Sequence, residues 1–495
     1  MSERAAPRML DFFIDGVPMQ AVEGQTVIQA ARDNGVDIPH FCWHPELSVP
    51  GNCRICQVEV ESDNGDPWFD ISCNMPVTAG MKVLLNSDKA KKLRKETMQF
   101  ITLNHPVDCG ICNKSGECML QDYHYEHNGA ASLSSDPKTH ATKFFPLSDR
   151  IMLDNERCIM CTLCVRFTHE VSQSHALAAV HRGDHALIRP AEDANFNLDA
   201  YSDNVIDICP VGALLSRELL THARVWYLES TPSVCPGCER GCSINIWHRK
   251  HSWKLNALDP KLNTSIDRVT PRENPEVNGL WVCNKARDLA HLFQRPRAEQ
   301  AMQRGTAVDL SVATAEAAKL IAAAKHPVAL VSSWGSNEEL AAFHAAFGER
   351  VTGYVKADHV PVPGETIEDH LLIKPDKNPN RRAALALYPA LSDQGLPPNT
   401  DLVLVWGEGA ATATLPAGTR VIRLDAYAHP DNAQADVFIP ISIQTERDGH
   451  YTNFEGTVTA FSACFPVKPS IVHAESLFAT LGAARTAPSA AVARA

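Results

Sequence analysis

Long hydrophobic runs are absent from this 495-residue chain. Its longer apolar stretches, such as residues 328–331 and 402–406, are far shorter than the roughly 20 residues that a membrane-spanning helix needs. The N-terminal segment MSERAAPRMLDFFIDG has neither an apolar stretch of signal-peptide length nor a pair of adjacent arginines. We therefore expect a cytoplasmic protein with no direct membrane insertion, or one held at the cytoplasmic face of the membrane through partner subunits.

An excess of positive charge is also lacking. The chain has 46 lysines and arginines against 58 aspartates and glutamates, which gives a net charge of −12. A protein of this charge has no basic face for a polyanion or for anionic lipid. We therefore expect no nucleic acid among its partners.

Glycine-rich nucleotide loops are missing as well. Gly407 and Gly409 follow the apolar run DLVLVW but form only a fragment of such a loop, which is weak evidence for a nucleotide site. We expect neither NAD nor flavin to bind this chain. We also expect no catalytic residue that makes or breaks substrate bonds.

Cysteine, by contrast, is plentiful and unevenly distributed. Fifteen of the 16 cysteines fall in clusters between residues 42 and 283, and only Cys464, between apolar neighbours, lies beyond them. Without a secretion signal, such clusters indicate metal ligands rather than disulfides. Cys464 is predicted to be a buried thiol, and the lack of other late cysteines excludes a hydrogen-activating nickel-iron or iron-only centre.

The first set of cysteines follows a segment that resembles a small ferredoxin. LDFFID and VPMQAV alternate as two strands joined at Gly16, and residues 26–34 suit a helix that ends at Gly35. The spacing C-x10-C-x2-C-x16-C is related to the ligand loop of plant-type [2Fe-2S] ferredoxins, with zinc as the alternative. Gly51 is expected to allow a close approach of the backbone to the cluster. The set consists of Cys42, Cys53, Cys56 and Cys73.

Two later sets have spacings typical of four-iron clusters. The third set is a C-x2-C-x2-C run with a distant Cys-Pro, the bacterial ferredoxin pattern for [4Fe-4S]; it consists of Cys158, Cys161, Cys164 and Cys209. The fourth set is a C-x2-C-x3-C run followed by one more cysteine; it consists of Cys235, Cys238, Cys242 and Cys283. Taken alone, the fourth spacing also fits zinc.

The second set, in HPVDCGICNKSGEC, has only three cysteines: Cys109, Cys112 and Cys118. Twelve cysteines fill the other sets, so this site lacks one thiolate, and His105 is the predicted fourth ligand. His124 and His127 are the alternatives. An imidazole in place of a thiolate removes one negative charge, which raises the reduction potential in Rieske centres, and a similar change of redox poise is expected here.

The order of the four sets resembles the large iron-sulfur subunit of respiratory complex I, the G-subunit type of NADH-quinone oxidoreductase. Related chains occur in NAD-linked hydrogenases and formate dehydrogenases. The resemblance covers residues 10 to about 295 and all sixteen ligand positions. It implies one [2Fe-2S] cluster in the first set, a His-ligated [4Fe-4S] cluster in the second, and [4Fe-4S] clusters in the third and fourth.

The C-terminal half resembles a molybdopterin-oxidoreductase domain at LIKPDKNPNRRAA and VFIPISIQTERDGHYTNFEGTV. Only about 200 residues follow Cys283, so we expect a truncated remnant without molybdopterin. PVALVSSW and DLVLVW are predicted to be buried strands, and NEELAAFHAAFGERV a helix capped by Ser336 or Asn337. TERDGHYTNFEG is predicted to be a turn-rich loop.

These features predict an α+β multidomain protein. We expect an N-terminal β-grasp [2Fe-2S] ferredoxin, His-ligated and ferredoxin-like [4Fe-4S] domains, and then a truncated α/β molybdopterin-oxidoreductase-like domain. The predicted segments are a [2Fe-2S] domain at 1–85, a His-ligated [4Fe-4S] domain at 86–146, a ferredoxin-like [4Fe-4S] domain at 147–225, a molybdopterin-oxidoreductase-type [4Fe-4S] domain at 226–295, the truncated α/β domain at 296–483, and a disordered tail at 484–495.

The resemblance implies an electron-transfer subunit of a hetero-oligomeric, NADH-linked oxidoreductase. A flavin-containing NADH-oxidising subunit would supply single electrons to the first set. They would pass to the third set, then to the second set or directly to a downstream iron-sulfur or hydrogenase or dehydrogenase subunit, with the fourth set off this line. The alternatives are the diaphorase-type subunit of a soluble NAD-linked [NiFe] hydrogenase or formate dehydrogenase and, more remotely, a zinc-stapled scaffold protein.

Overall fold

The computed structural model of the protein describes residues 8–62, 66–191, 195–220, 222–250, 264–348, 350–393, 395–410, 415–416 and 418–483. The predicted disordered tail lies outside these residues. The chain divides between Tyr227 and Leu228 into two compact units, called unit 1 and unit 2 below. Across the described ranges, no helix combines the length and the apolar character needed to cross a membrane.

Unit 1 begins with a mixed five-stranded sheet that packs against a short helix. The predicted hairpin is confirmed: its strands pair antiparallel through a turn at Asp15 and Gly16, both with positive φ. The predicted helix is also confirmed, with Thr26 as its N-cap in a capping box with Gln29, and Gly35 has φ +75°. The elements are β1 Met9–Ile14, β2 Val17–Val22, α1 Val27–Asp33, β3 Gln57–Val60, β4 Trp68–Ile71 and β5 Lys82–Leu84, in the sheet order β2-β1-β5-β3-β4.

The rest of unit 1 is built from short elements joined by long loops. Two small antiparallel sheets form, one from β10, β7 and β6 and one from β8 and β9. The elements are α2 Asp88–Thr102, α3 Met119–Tyr123, β6 Phe145–Pro146, β7 Ile151–Leu153, α4 Leu163–Glu170, β8 Leu177–Val180, β9 Leu187–Pro190, α5 Asn204–Ile208 and β10 Leu214–Ser216. Most of the predicted metal ligands in this unit lie in the loops or at helix ends.

Unit 2 starts with an antiparallel three-stranded sheet and two short helices. These elements are β11 Leu228–Val234, β12 Ser243–Arg249, β13 Ile266–Pro271, α6 Asn284–Arg287 and α7 Leu289–Phe293. A hairpin of β21 Gly449–Thr452 and β22 Val458–Phe461 also belongs to this unit. The prediction of a turn-rich loop for TERDGHYTNFEG is therefore wrong in part: its GHYT segment is a strand whose alternate residues, Gly449 and Tyr451, are buried.

The body of unit 2 is a seven-stranded sheet with a parallel centre. Both predicted strands are confirmed as β16 and β18, which pair with each other in parallel. The predicted helix is confirmed as α9, and the Ser336 hydroxyl caps it in a capping box with Glu339. The elements are β14 Met302–Gln303, β15 Thr306–Ala307, α8 Leu310–Ala323, β16 Pro327–Val331, α9 Asn337–Phe347, β17 Thr352–Val355, α10 Arg381–Leu387, β18 Leu402–Trp406, β19 Arg420–Asp425, α11 Pro430–Gln434, β20 Val437–Pro440 and α12 Ala474–Ala483, in the sheet order β15-β14-β20-β19-β18-β16-β17.

A cluster of aromatic rings joins α9 and α12 to this sheet. Phe343 is fully buried, and its ring centroid lies 5.6 Å from that of Trp406 and 5.0 Å from that of Phe478. Because the site is closely packed on several sides, Phe343→Ala is expected to lower the free energy of unfolding of unit 2 by about 3–5 kcal/mol. Denaturant unfolding followed by tryptophan fluorescence measures the change. Leu385→Ala, at a side chain that is 43% exposed, is the control; an equal loss in both variants would contradict the prediction.

Candidate metal centres

The four cysteines of the first set lie together in unit 1. Cys42 follows α1, Cys53 and Cys56 precede β3, and Cys73 lies in a single helical turn after β4. A hydrogen bond from the Cys53 thiol lowers the pKa of Cys42 to about 6 and raises the pKa of Cys53. A second such pair lowers the pKa of Cys56 and raises that of Cys73, which also feels the charges of the other three sulfurs. The set therefore forms two hydrogen-bonded pairs of cysteines within electrostatic range of each other.

The loop that carries Cys53 has a backbone that side chains rarely adopt. Gly51 has φ +63°, and a Cβ there would lie 2.9 Å from Ile71 Cδ1. Arg54 also has positive φ, so the chain turns sharply on both sides of Cys53. The glycine is thus required by both conformation and space.

The third set surrounds the start of α4. Burial raises the pKa of Cys158 to about 12 and raises the pKa values of Cys161 and Cys164 further, with added repulsion from Cys209. Cys209 itself ends α5 and is 7% exposed. The structure therefore brings all four members together in a site from which water is largely excluded.

The fourth set lies in unit 2 between β11 and β12 and at the start of α6. Burial raises the pKa values of Cys235 and Cys242, and raises that of Cys283 to about 11, with repulsion among the sulfurs including Cys238. The Gly237 N–H donates to Cys235 Sγ at 3.4 Å, a contact typical of sulfur ligands.

The C-terminal stretches LIKPDKNPNRRAA and VFIPISIQTERDGHYTNFEGTV both contact the loop of the fourth set. The Glu239 N–H donates to the Asp376 carbonyl at 2.8 Å, and the Phe454 N–H donates to the Glu239 carbonyl at 3.1 Å. The two stretches therefore support the cysteine loop through its backbone.

The second set lies in a loop that leads into α3. Cys109 is exposed, whereas Cys112 and Cys118 are buried, and burial raises the pKa of Cys118 to about 11. The charge of Cys109 raises the pKa of Cys112, and the charge of Cys112 raises the pKa of Cys118. Each sulfur therefore lies within electrostatic range of the next one along the chain. On the solvent-exposed side of this loop, Arg224 donates hydrogen bonds to the carbonyls of Cys109 and Gly110.

His105 is half-buried, and its buried Nδ1 has no hydrogen-bond partner among the residues that the structure describes. Burial lowers the pKa of His105 to about 4, so the ring is neutral at physiological pH, the form that binds metals. The charges of Asp108 and Arg157 contribute to the pKa shifts of both His105 and Cys112. His105 and Cys112 therefore share one electrostatic environment. Of the alternatives, His124 Nδ1 lies 3.2 Å from Asn128 Nδ2 and His127 lies 3.7 Å from Glu126. These contacts favour His105.

Buried charges connect the loops of the second and third sets. Arg157, next to Cys158, is 2% exposed, and its Nη2 lies 2.6 Å from Oδ2 of Asp108, next to Cys109. Gly212 adds a close contact, because a Cβ there would lie well inside van der Waals distance of Cys112 Sγ. The two loops are therefore held in direct contact.

Arg166 connects the first and third sets in a similar way. Its Nη2 donates to the Cys42 carbonyl at 2.5 Å and to the Cys161 carbonyl at 3.3 Å. Sequence reasoning missed Arg157, Arg166 and Gly212. Their position within three residues of a cysteine is the one signal that could have indicated them.

The donor sets fit iron-sulfur clusters in their chemistry. The third and fourth sets hold buried sulfurs whose thiolate forms are costly without a compensating positive charge. The second set adds an imidazole nitrogen that has no hydrogen-bond partner in the described part of the chain. Among the residues that the structure describes, no group of three or more histidine, cysteine, aspartate or glutamate side chains is arranged to hold a single metal ion.

Comparison with known families assigns the four cysteine-bearing regions separately. The matches are to a 2Fe-2S iron-sulfur cluster binding domain at residues 7–88, an NADH-ubiquinone oxidoreductase-G iron-sulfur binding region at 94–131, a ferredoxin-like domain of NADH-quinone oxidoreductase subunit 3 at 148–215, and a molybdopterin oxidoreductase Fe4S4 domain at 228–294. The prediction of ferredoxin-like and molybdopterin-oxidoreductase-type iron-sulfur domains is confirmed at this level, as is the mixed α/β content with several sheets.

Individual relatives carry corresponding names. The chain is 37% identical over 299 residues to the mitochondrial NADH dehydrogenase [ubiquinone] iron-sulfur protein 1 of Solanum tuberosum, which covers 60% of this chain and 38% of that protein. It is 36% identical to the G subunit of NADH-quinone oxidoreductase from Rickettsia felis (56% and 39% covered) and 38% identical to the NADH-ubiquinone oxidoreductase 75 kDa subunit of Reclinomonas americana (58% and 39% covered). The predicted resemblance to the G-subunit type is confirmed.

The extent of these matches is partial. The chain spans about two fifths of the length of these relatives. Among solved structures, a chain of an NAD⁺-reducing [NiFe]-hydrogenase in the H₂-reduced state is 31% identical, with 44% of this chain and 91% of that chain covered and a TM-score of 0.39.

Proposed function

We propose that this chain is an electron-transfer subunit of a multisubunit NADH-linked oxidoreductase of the complex I type. It receives single electrons from a flavin-containing NADH-oxidising subunit and passes them to a downstream subunit. The sixteen predicted ligands hold one [2Fe-2S] and three [4Fe-4S] clusters, with His105 as the one ligand that is not a cysteine. When bound, the clusters supply one-electron redox chemistry. The chain needs no general acid or base of its own.

The observation that carries this proposal is the central position of the third set within unit 1. Arg166 joins its loop to the loop of the first set, and the Arg157–Asp108 ion pair joins it to the loop of the second. Three donor sets held in contact in the order first, third, second support one-electron transfer along that line. A scaffold that used its metals only as staples would not require this arrangement.

The protein groups have three tasks in this proposal. Buried cysteine sulfurs and the neutral His105 ring hold the metal centres, while the close packing around the third set excludes water. Backbone N–H groups such as that of Gly237 donate to sulfur and lower its electron density.

Anaerobic affinity purification from the native cells, with mass spectrometry of the proteins that co-purify, tests the proposal. A flavoprotein together with membrane subunits is the expected result. A flavoprotein with a nickel-iron or formate-oxidising subunit would instead assign the chain to an NAD-linked hydrogenase or formate dehydrogenase. Absence of any flavoprotein under conditions that keep the complex intact would contradict an NADH-linked role.

A further inference from the structure

Arg166 bonds to both sides of the contact between the first and third sets. It lies in α4, two residues after Cys164, and is half-buried. A single nitrogen, Nη2, donates to the carbonyl of one predicted ligand from each set: Cys42 at 2.5 Å and Cys161 at 3.3 Å. Nη1 donates to the Ser48 carbonyl. The planar guanidinium can make these bonds together because its donors have a fixed fork geometry.

Two neighbouring contacts hold the same pair of loops. Glu170, one turn after Arg166, accepts hydrogen bonds from the Ser48 N–H at 2.8 Å and from the Ser48 hydroxyl at 2.5 Å. Asn52, next to Cys53, donates to the Met160 carbonyl at 3.0 Å. The contact is thus polar and directed at backbone groups, so its strength depends on correct geometry rather than on apolar area.

The backbone of the third-set loop is constrained where Arg166 meets it. Met160 has φ +53° and Thr162 has φ +61°, so the residues on both sides of Cys161 are left-handed. Arg166 Nε lies 3.3 Å from the Thr162 hydroxyl oxygen and adds a further bond to this turn. The guanidinium therefore fixes the turn that presents Cys161 as well as the loop that presents Cys42.

We propose that Arg166 is a positioning residue for electron transfer: it clamps the Cys42 loop to the Cys161 turn and so sets the separation between the two centres. The inference rests on the proposed function, because it concerns transfer between the first and third sets. Electron transfer slows steeply as the separation of two centres grows. Loss of the clamp therefore slows transfer without removing a ligand.

The test uses Arg166→Gln and Arg166→Lys in the native complex. Arg189→Gln is the matched control, since within the described residues Arg189 donates to the neighbouring Ile188 carbonyl and packs on Phe145. The readouts are iron content, the magnetic interaction between the two reduced centres by electron paramagnetic resonance, and the rate at which a pre-reduced first centre reduces the third. In Arg166→Gln, we expect full iron content, a weaker magnetic interaction and slower transfer, because loss of the charge-assisted bonds lets the two loops move apart and electron transfer slows with distance.

Arg166→Lys separates geometry from charge. Lysine keeps the positive charge but not the forked geometry. We therefore expect the magnetic interaction between the two reduced centres to weaken, while their reduction potentials stay close to those of the wild type. Full iron with unchanged magnetic interaction and transfer rate in both variants would overturn the inference. If Arg166→Gln loses iron, the inference is judged on the magnetic interaction and the transfer rate of Arg166→Lys alone. Absence of both clusters from the wild-type complex would instead refute the proposed function.

Discussion

Gly212→Ala is expected to abolish metal binding at the second set while the other three sets keep their iron. The added Cβ would collide with Cys112 Sγ and would lie 3.3 Å from Lys114 Cβ and 3.5 Å from Arg157 Cδ. Cys112 is 7% exposed, and Arg157 is held by buried ion pairs, so neither can move aside at low cost. Iron per chain should fall by about four atoms, the content of one cubane cluster.

Gly110→Ala is the matched control for this change. Gly110 lies in the loop of the second set itself, between Cys109 and Cys112, but a Cβ there would meet no atom of the described residues within 4 Å. This variant should keep its full iron content and its spectroscopic signals. Loss of iron in both variants would show that the effect does not depend on the clash with Cys112 Sγ, and full iron in Gly212→Ala would show that Cys112 is not a ligand in the position described.

His105→Cys is expected to retain a four-iron cluster with a lower reduction potential, and His105→Ala to leave a labile one. A thiolate in place of a neutral imidazole adds one negative charge, which disfavours reduction, as the comparison with Rieske centres indicates. Removal of the ring leaves three ligands, one of which, Cys109, is exposed to solvent. A redox titration followed by electron paramagnetic resonance measures both effects.

His124→Ala and His127→Ala serve as the controls for the histidine prediction. His124 contacts Asn128, and His127 contacts Glu126, so neither ring depends on a metal for a partner. The reduction potential of the second-set cluster in both control variants should match that of the wild type. Unchanged potentials in both His105 variants, with a shift in either control, would assign the fourth ligand elsewhere.

Local features of this fold could be predicted from the sequence because short-range chemistry determines them. The Asp15–Gly16 turn, the Thr26 cap and the Ser336 capping box each depend on residues within four positions of one another. The cysteine spacings likewise defined sets that the structure brings together. The GHYT strand was missed because the polar and glycine-rich residues around it indicate turns, while the burial of Tyr451 comes from distant parts of unit 2.

The relation between the sets could not be predicted, because it depends on contacts between distant residues. Arg166 is 124 residues from Cys42, and Arg157 is 49 residues from Asp108. An arginine beside a cysteine has no distinctive spacing, and nothing in the chain near Gly212 indicates that a sulfur approaches it. These three residues nevertheless contribute to the contacts between the sets, from which we infer the order of electron transfer.

The central claim is that the sixteen predicted ligands hold redox-active iron-sulfur clusters. Metal and inorganic sulfide analysis of the anaerobically purified protein, combined with a redox titration by electron paramagnetic resonance, tests it most directly. We expect about fourteen irons and a matching amount of sulfide per chain, with signals from one two-iron and three four-iron centres. Zinc in place of iron, without sulfide or redox signals, would contradict it and leave a zinc-stapled scaffold.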